Sequence, residues 1–444
     1  MTALTRARRP LLGERLHALA DAARTEADKL RARDHGREVE VWVVARAVRT
    51  GEAALRTGSW TQSRGFWTSA AARVWQGDGC GWACAPVSES EAIGRLIEVA
   101  ARRAASGGRA PYPRNVDGPF EGSWPTSLPP FRGAAVAELA AQGIRAAGTV
   151  QAALLRDEVS WTALARAGEP VRRSFTHRTG AYLRCETERG ALLHGASLHP
   201  GRVWDPSAMG ARMADEVLVL KGLAGTPASD LPLVLRPRVA APLVSALGWV
   251  LRGDVAAATP GLVRGLGKKL FPACLSVSDH PRHPLSPARY EVDGEGRTVE
   301  PLDLIEAGRL VAFLHSTETA VPLGHTPNGR AFRSESAPPV PAPTNLFVVP
   351  GSGELPRDFT ELVVRVENFN PTPRPGRVAV IAGGWEVRGG QRIRRVAPID
   401  LELPTIEAFR ALTAVGADLE FFLTSDGCGT PSLVLSPSVL RFAV

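Results

Sequence analysis

Alternating and helical patterns of apolar residues organise the first part of the chain. The segment Glu38-Val-Glu-Val-Trp-Val-Val44 alternates with a period of two and predicts a strand. Residues 71–85 predict a hairpin, because Gly77-Asp-Gly79 supplies residues that suit a tight turn. A helix is predicted next, from apolar residues at helical spacing: Ile93, Leu96, Ile97 and Ala100. Two strands covered by a helix are typical of an α+β layer.

Further helices and strands are predicted up to residue 223. The helical segments are Leu11 to Leu30, the alanine-rich stretch Ala134 to Arg156, and Ala208 to Leu223. The alternating segments are Val159 to Ala165, Val171 to Thr176 and Tyr182 to Glu186, with Arg178-Thr-Gly180 as a predicted turn. These patterns predict an α/β sandwich-like N-terminal domain.

The second half of the chain has a different pattern, in which short apolar runs are separated by proline and glycine. Such spacing is typical of antiparallel strands joined by turns. Thr226-Pro-Ala-Ser-Asp-Leu-Pro232 is a short segment of breaking residues between the two patterns. We therefore predict an α+β protein with an N-terminal domain over residues 1–229 and a mostly antiparallel β domain over residues 230–444.

Composition narrows the class of protein. The chain has 444 residues, of which 44% are hydrophobic and 22% charged, as in ordinary folded proteins. The formal net charge is +8, but the arginines are scattered and no basic patch is interleaved with aromatic residues. This pattern disfavours nucleic acid as a partner. No apolar run approaches the roughly 18 residues that a membrane span needs, so no membrane association is expected.

The five cysteines are Cys80, Cys84, Cys185, Cys274 and Cys428. They do not form the two spaced pairs of a zinc knuckle. Their odd number, together with the absence of a secretory apolar core at the N-terminus, predicts a reduced, cytoplasmic protein.

Four segments of the second half carry a resemblance to a known family. They are Cys274-Leu-Ser-Val-Ser-Asp-His-Pro281, Tyr290-Glu-Val-Asp-Gly-Glu-Gly296, Leu304-Ile-Glu-Ala-Gly-Arg-Leu-Val-Ala-Phe-Leu314 and Pro343-Thr-Asn-Leu-Phe-Val-Val-Pro-Gly351. In order and spacing they resemble the C-terminal domain of the TldD/PmbA family, which has a strand ending in an acidic-Pro turn, two hairpins and a Thr-Asn strand. The resemblance implies a zinc metallopeptidase-related protein.

The predicted helix over residues 239–252 departs from that family. Catalytic members carry His-Glu-x-x-x-His there, to bind zinc and to supply a general base. The corresponding positions in this chain hold Val244, Ser245 and Trp249, so catalytic and metal-binding residues are absent from the helix. Val244 and Trp249 are expected to fill the former metal pocket.

A rebuilt metal site elsewhere is a weaker alternative. His280 and His283 are three residues apart, but Pro281 between them is incompatible with a helical pair of ligands. Cys428 lies in a Gly-Cys-Gly segment, and catalytic relatives use a cysteine of this tail as a zinc ligand. Its register differs and the histidine partners are missing.

The resemblance implies a metal-free, TldE/PmbA-like subunit that pairs with a zinc-bearing TldD-like subunit, or with itself, and acts on unfolded or modified peptides. Zinc is then expected only in the partner. Residues 366–376 contain three prolines where the family has a glycine-rich stretch near its substrate groove. This departure keeps open a stand-alone binding or scaffold protein, and a hydrolase with a rebuilt metal site is the third reading.

Overall fold

The computed structural model describes residues 3–54, 57–113, 124–125, 141, 150–187, 190–198, 205–220, 225–286, 288–334, 337–366, 376–422 and 428–442. It is a mixed α+β protein, as the sequence predicts, with one large N-terminal sheet and two further six-stranded sheets in the second half. The segment with three prolines at residues 366–376 lies almost entirely outside the described residues.

The first sheet is antiparallel throughout and has the order β3-β2-β1-β4-β5-β6. Its strands are β1 Arg37–Ala54, β2 Ser59–Gln76, β3 Gly79–Pro86, β4 Val150–Arg166, β5 Arg172–Thr187 and β6 Gly190–Leu198. Helices α1 (Ala3–Arg33) and α2 (Glu91–Ala104) pack on one face over β1, β2 and β4. The predicted hairpin is confirmed, since Gly77 turns between β2 and β3 with φ 58°.

Two local predictions in this sheet are wrong. Residues 150–156, predicted as the end of a helix, are the first residues of β4, while most of residues 134–149 lie outside the described part of the chain. Ala153 and Leu155 are buried there against a later helix, and such burial overrides the weak helical preference of the sequence. Arg178-Thr-Gly180 is not a turn, because β5 continues through it in register with β4.

Helix α3 (Pro206–Leu220) covers the far end of the same sheet face. Its Met209 and Met213 share a core with Leu155 of β4 and with Val364 and Val366 of the second half. Because this helix contacts strands on both sides of the predicted domain boundary, a division at residues 229/230 stays a prediction.

The second half forms one sheet of order β16-β15-β14-β7-β20-β17 and another of order β10-β9-β8-β13-β19-β18, with a small β11-β12 pair. Only β14–β7 and β13–β19 are parallel among the described pairs. The strands are β7 Leu233–Leu235, β8 Val277–Asp279, β9 Leu302–Glu306, β10 Arg309–Leu310, β11 Ala331–Phe332, β12 Val340–Pro341, β13 Leu346–Val348, β14 Phe359–Val366, β15 Arg377–Arg388, β16 Gln391–Pro404, β17 Leu412–Val415, β18 Glu420–Phe421, β19 Cys428–Thr430 and β20 Leu433–Leu435.

Helix α4 (Pro237–Val250) lies at the centre of the core of this half, where it packs against β7, β13, β14, β15 and β19. The shorter helices are α5 Gly253–Ala257, α6 Pro260–Val263, α7 Thr317–Ala320 and α8 Thr405–Arg410, with 3-10 turns at Val321–Leu323 and Pro437–Phe442. In the described part of the chain, no helix is both long and apolar enough to cross a membrane.

Candidate functional site

The helix that the sequence singles out begins and is anchored in a defined way. Arg236 is extended (φ −66°, ψ 158°), and Pro237 opens α4 where its missing N–H costs no hydrogen bond. The Arg236 side chain donates to Glu361 Oε2 on β14 from Nε (2.9 Å) and Nη2 (2.7 Å). Glu361 is almost fully buried, so this pair fixes the first turn of the helix against the sheet.

Val244, Ser245 and Trp249, the positions to which the sequence resemblance assigns the family's ligands and base, have different environments. Val244 is fully buried among the leucines and valines of the core, and its role in filling a former metal pocket stays a prediction. Ser245 is half-buried. The prediction that Trp249 fills a pocket is wrong, because 47% of this residue is exposed and its ring lies under the guanidinium of Arg252, 5.8 Å away. On a helix, positions five residues apart point in different directions, which accounts for the contrast between Val244 and Trp249.

These residues do not fit zinc. A valine side chain has no lone pair, an indole N–H only donates, and a neutral hydroxyl is a weak ligand. Cys428 lies against the helix, where its Sγ donates to the carbonyl oxygen of Ala241 at 3.3 Å, and it is buried. Within the described ranges, no group of three or more His, Cys, Asp or Glu side chains could hold a metal ion.

His280 and His283 are close together but are engaged in local structure. Their ring centroids are 5.9 Å apart, and each Nδ1 accepts a backbone N–H, from Arg282 (3.1 Å) and Leu285 (3.2 Å) respectively. Burial, with a smaller effect of the neighbouring His280, lowers the pKa of His283. The imidazoles therefore organise the turn that follows β8.

The ring of His283 also packs between two aromatic residues. Its centroid lies 4.8 Å from that of Phe347 on β13 and 4.9 Å from that of Phe421 on β18. These strands flank β19, on which Cys428 pairs with Leu346. The histidines and the cysteine thus belong to neighbouring elements of one sheet, where Cys428 is buried in the core and the two histidines are partly buried.

Two of the segments that carry the family resemblance bind each other. Asp279, at the acidic-Pro turn, is fully buried and accepts hydrogen bonds from Thr344 N (2.9 Å), Thr344 Oγ1 (2.8 Å) and Asn345 N (2.7 Å). Arg330 forms an ion pair with the same carboxylate. The Thr-Asn strand and the acidic turn are therefore a structural unit that holds β8 beside β13.

A buried charge cluster that the sequence did not reveal joins the two halves of the chain. Glu40 on β1 is fully buried and forms ion pairs with Arg73 (2.8 Å), Arg166 (2.7 Å) and Arg333 (2.7 Å). Burial alone would raise the pKa of Glu40, but the charges of these three arginines hold the pKa well below its usual range. Glu40 is thus the carboxylate that all three arginines share, and Arg166 has a second, longer ion pair with Glu169 at 3.8 Å.

The arginines of this cluster also hold the Asp-x-Glu-Gly hairpin. Arg166 donates to the carbonyl oxygen of Glu295 (2.7 Å), and Arg333 donates to that of Gly294 (2.5 Å). Asp293 accepts the backbone N–H groups of Glu295 and Arg297, both at 2.9 Å. Burial and the charge of Glu295 raise the pKa of Asp293 to about 7. No local sequence pattern predicts this cluster, because the partners of Glu40 lie far away in sequence.

A cavity of about 250 Å³ lies beside the charge cluster, between the N-terminal sheet and the hairpins of the second half. Its lining includes the aromatic rings of Trp42, Tyr290 and Phe332, with Arg333 and the hydroxyl of Ser160. Such a mixed lining, to which the carboxyl groups of Glu158 and Asp293 also belong, suits the binding of a small polar group.

Comparison with known proteins agrees with the geometry of the second half. Residues 228–440 match the family profile described as the PmbA/TldA metallopeptidase C-terminal domain. A metalloprotease of Synechocystis sp. is 28% identical over 229 residues, which are 49% of this chain and 48% of that protein. A metalloprotease of Methanothermobacter thermautotrophicus is 24% identical over 237 residues, 51% of each chain. The chain thus matches about half the length of these curated relatives.

Solved structures share the fold over nearly the whole length. TldE from Thermococcus kodakarensis superposes with a TM-score of 0.75 and 17% identity, covering 93% of this chain and 98% of that one. A protein of Thermotoga maritima described as a candidate modulator of a DNA gyrase superposes with a TM-score of 0.73, 17% identity and the same coverage. At this level of identity the likeness concerns the fold.

Proposed function

Because the chain belongs to the TldD/PmbA family, we propose that it is a metal-free, TldE/PmbA-like subunit of a TldD/TldE-type metallopeptidase complex. In this role it supports the cleavage of unfolded or modified peptides by a zinc-bearing partner subunit. Zinc belongs to the partner, and this chain contributes no catalytic residue of its own.

The observation that carries the proposal is the state of helix α4. Val244 lies at the first ligand position with no exposed surface, and Trp249 at the second ligand position points to the surface. Restoring a zinc site would require a cavity in the core as well as three new side chains. The helix keeps its place in the fold through Arg236 and Glu361 while lacking every group that zinc hydrolysis needs.

The contribution left to this chain is the positioning of an extended peptide. Strand addition at a sheet edge uses main-chain hydrogen bonds, which do not depend on the peptide sequence and so suit an unfolded substrate. Sheet β10-β9-β8-β13-β19-β18 ends in the two-residue strand β18 (Glu420–Phe421), close to α4 through β19. A peptide added there would lie beside the helix that holds the metal in catalytic members.

The test is reconstitution with a family member of the same genome that carries His-Glu-x-x-x-His. We expect the two chains to co-purify, to contain zinc in proportion to the partner, and to hydrolyse an unfolded protein such as casein. This chain alone is expected to be inactive and free of stoichiometric zinc. The matched control is the same complex in which the partner's motif glutamate is replaced by glutamine, which should assemble without cleaving.

Two other outcomes would replace the proposal. Zinc-dependent hydrolysis by this chain alone, with stoichiometric metal, would assign it a rebuilt site and end the subunit proposal. Failure to associate with any zinc-bearing family member would identify a stand-alone binding or scaffold protein instead.

A further inference from the structure

Strand β2 extends far beyond its outer neighbour. It pairs with β1 along its whole length, Ser59 to Gln76, but β3 pairs only with Ser69 to Gln76. In the described part of the chain, pairing on this side ends at Thr68, which accepts the N–H of Val87 at 3.1 Å. Among the residues that the structure describes, nothing pairs with the outer edge of residues 59–67, which is nine positions long.

The open edge carries exposed aromatic residues, which is unusual for an edge strand. All residues from 59 to 67 are exposed, and among them Trp60 is 53% and Phe66 is 44% exposed. Alongside residues 59–67, burial beneath the helices reaches only as far as β1, where Ala47 and Ala53 are buried. Edge strands usually carry charges or prolines that prevent pairing, but this edge has a single charged residue, Arg64.

The register fixes which backbone groups point outward. The carbonyl oxygen of Thr68 bonds to Val87, outside the sheet formed with β1, and in an antiparallel strand this direction repeats every second residue. The N–H and C=O groups of Trp60, Gln62, Arg64 and Phe66 therefore point away from β1. They are the groups that a further strand would bind.

We propose that two copies of this chain pair through this edge, antiparallel about a two-fold axis at Ser63, to form one continuous sheet. A two-fold axis that passes through a residue, perpendicular to the sheet, brings even-numbered residues opposite even-numbered residues of the second copy. The outward-pointing backbone groups of the two strands therefore face each other. An axis at Ser63 places Trp60 opposite Phe66 of the second copy, twice. It also places Gln62 opposite Arg64 of the second copy.

The neighbouring registers are less favourable. An axis at Arg64 sets two like charges directly opposite each other, which is destabilising. An axis at Gln62 places Phe66 opposite residue 58, beyond the end of the strand, so both aromatic pairs are lost. The aromatic and polar pattern of the segment is thus self-complementary in one register.

This pairing involves the N-terminal sheet alone and does not depend on the absence of zinc from α4. A second copy is favoured over a peptide substrate as the occupant, because the edge itself supplies the matching strand with Gln62 and Arg64 at complementary positions. Binding of a peptide would leave Gln62 with no fixed charge opposite it.

The experiment measures the dimer dissociation constant of the full chain by sedimentation velocity at low salt. Gln62→Arg places an arginine opposite Arg64 and is expected to weaken the dimer about tenfold, whereas Gln62→Glu places a carboxylate there and should tighten it. The double variant Gln62→Arg with Arg64→Glu places opposite charges at these two positions and should recover the dimer. Thr61→Arg adds the same charge opposite Gly65 and is the matched control, with a smaller effect than Gln62→Arg.

Because these side chains are exposed, each variant should keep the wild-type thermal midpoint and circular dichroism spectrum. A wild-type chain that stays monomeric at high micromolar concentration overturns the proposal. The proposal is also overturned if Gln62→Arg and Gln62→Glu shift the dissociation constant in the same direction. With Arg64 of the second copy opposite residue 62, the positive and the negative side chain must have opposite effects.

Discussion

At the residue scale, the burial of Val244 determines whether helix α4 can accommodate a metal ligand at this position. Its side chain has no exposed surface and is surrounded by core residues from both sheets of the second half. A ligand at this position would need space that the packing does not leave, and a polar atom there would need a hydrogen-bond partner. The packing around Val244 therefore supports the proposal that this helix binds no metal.

Replacing Val244 by histidine should lower the free energy of unfolding by about 2–4 kcal/mol, because a larger polar ring enters a closed apolar site. Urea denaturation at neutral pH measures this loss. Trp249→His is the comparison, and its cost should stay near 1 kcal/mol since the indole is half-exposed. Equal losses for the two variants would mean that the site around Val244 can accept a ligand.

Glu40 is a second residue for which the environment predicts a change in the free energy of unfolding. Glu40→Gln removes the buried carboxylate that three arginines share, although Arg166 keeps its longer ion pair with Glu169. The expected loss in the free energy of unfolding is about 3–5 kcal/mol at neutral pH, measured by urea denaturation. Glu38→Gln on the same strand is the control, because Glu38 is only half-buried.

The pH dependence follows from the lowered pKa of Glu40. Such a group stabilises the folded protein fully above its unfolded pKa of about 4.3, and this contribution is lost as the pH falls further toward the folded pKa. The gap between wild type and Glu40→Gln should therefore be widest at pH 6–7 and narrow below about pH 4. A gap that stays constant down to pH 3 would show that the carboxylate is not the source of the stability.

At the element scale, the sequence predicts the elements whose apolar pattern is strong and local. The β1 strand, the β2–β3 hairpin and the apolar face of α2 follow from alternation, glycine turn residues and helical spacing. The start of β4 was misassigned because residues 150–156 carry short or aliphatic side chains that suit a helix as well as a strand. Their partners, Met209 and Val364, lie far along the chain, and no local pattern records them.

The candidate site likewise combines features that follow from local sequence patterns with features that depend on contacts between distant residues. The sequence predicts a helix over residues 239–252, and α4 lies there, at Pro237–Val250. The orientation of Trp249 was not predictable, since it depends on how the helix rolls against β13. Glu40 was also missed, because each of its arginines comes from a different strand or loop.

The roll of α4 against β13 can be tested at Gly248. A Cβ at this position would lie 2.5 Å from Cδ2 of Leu346. Gly248→Ala should therefore lower the thermal midpoint, although alanine is intrinsically better in a helix by about 1 kcal/mol. Gly261→Ala in α6 is the matched control, because nothing lies within 4 Å of its Cβ, and it should leave the midpoint unchanged or raise it. A rise for both variants would mean that the helix is free to shift.

At the scale of the whole molecule, the two halves are joined by charge and backbone contacts as well as by apolar packing. Arg166 and Arg172, from the N-terminal sheet, donate to the carbonyl oxygens of Glu295 and Gly296, and Arg333 from the second half reaches back to Glu40. A guanidinium held by carbonyl groups and a carboxylate at once has a fixed orientation. We expect these contacts to make the two halves unfold together.

Gly296 is the position at which that coupling can be weakened selectively. It has φ 76°, and a Cβ there would lie 2.8 Å from Cδ2 of Leu164 and 2.9 Å from Cδ of Arg172, both in the N-terminal sheet. Gly296→Ala should therefore split a single calorimetric unfolding transition into two and expose the 293–297 hairpin to proteolysis. Gly324→Ala is the control for backbone strain. Gly324 also has a positive φ of 70°, but nothing lies within 4 Å of a Cβ at this position. Both variants bear a backbone cost of about 1 kcal/mol, so only the contact with the other half distinguishes them. Should Gly324→Ala split the transition equally, strain rather than the interface would be the cause, and the coupling would have to reside in the apolar contacts of α3.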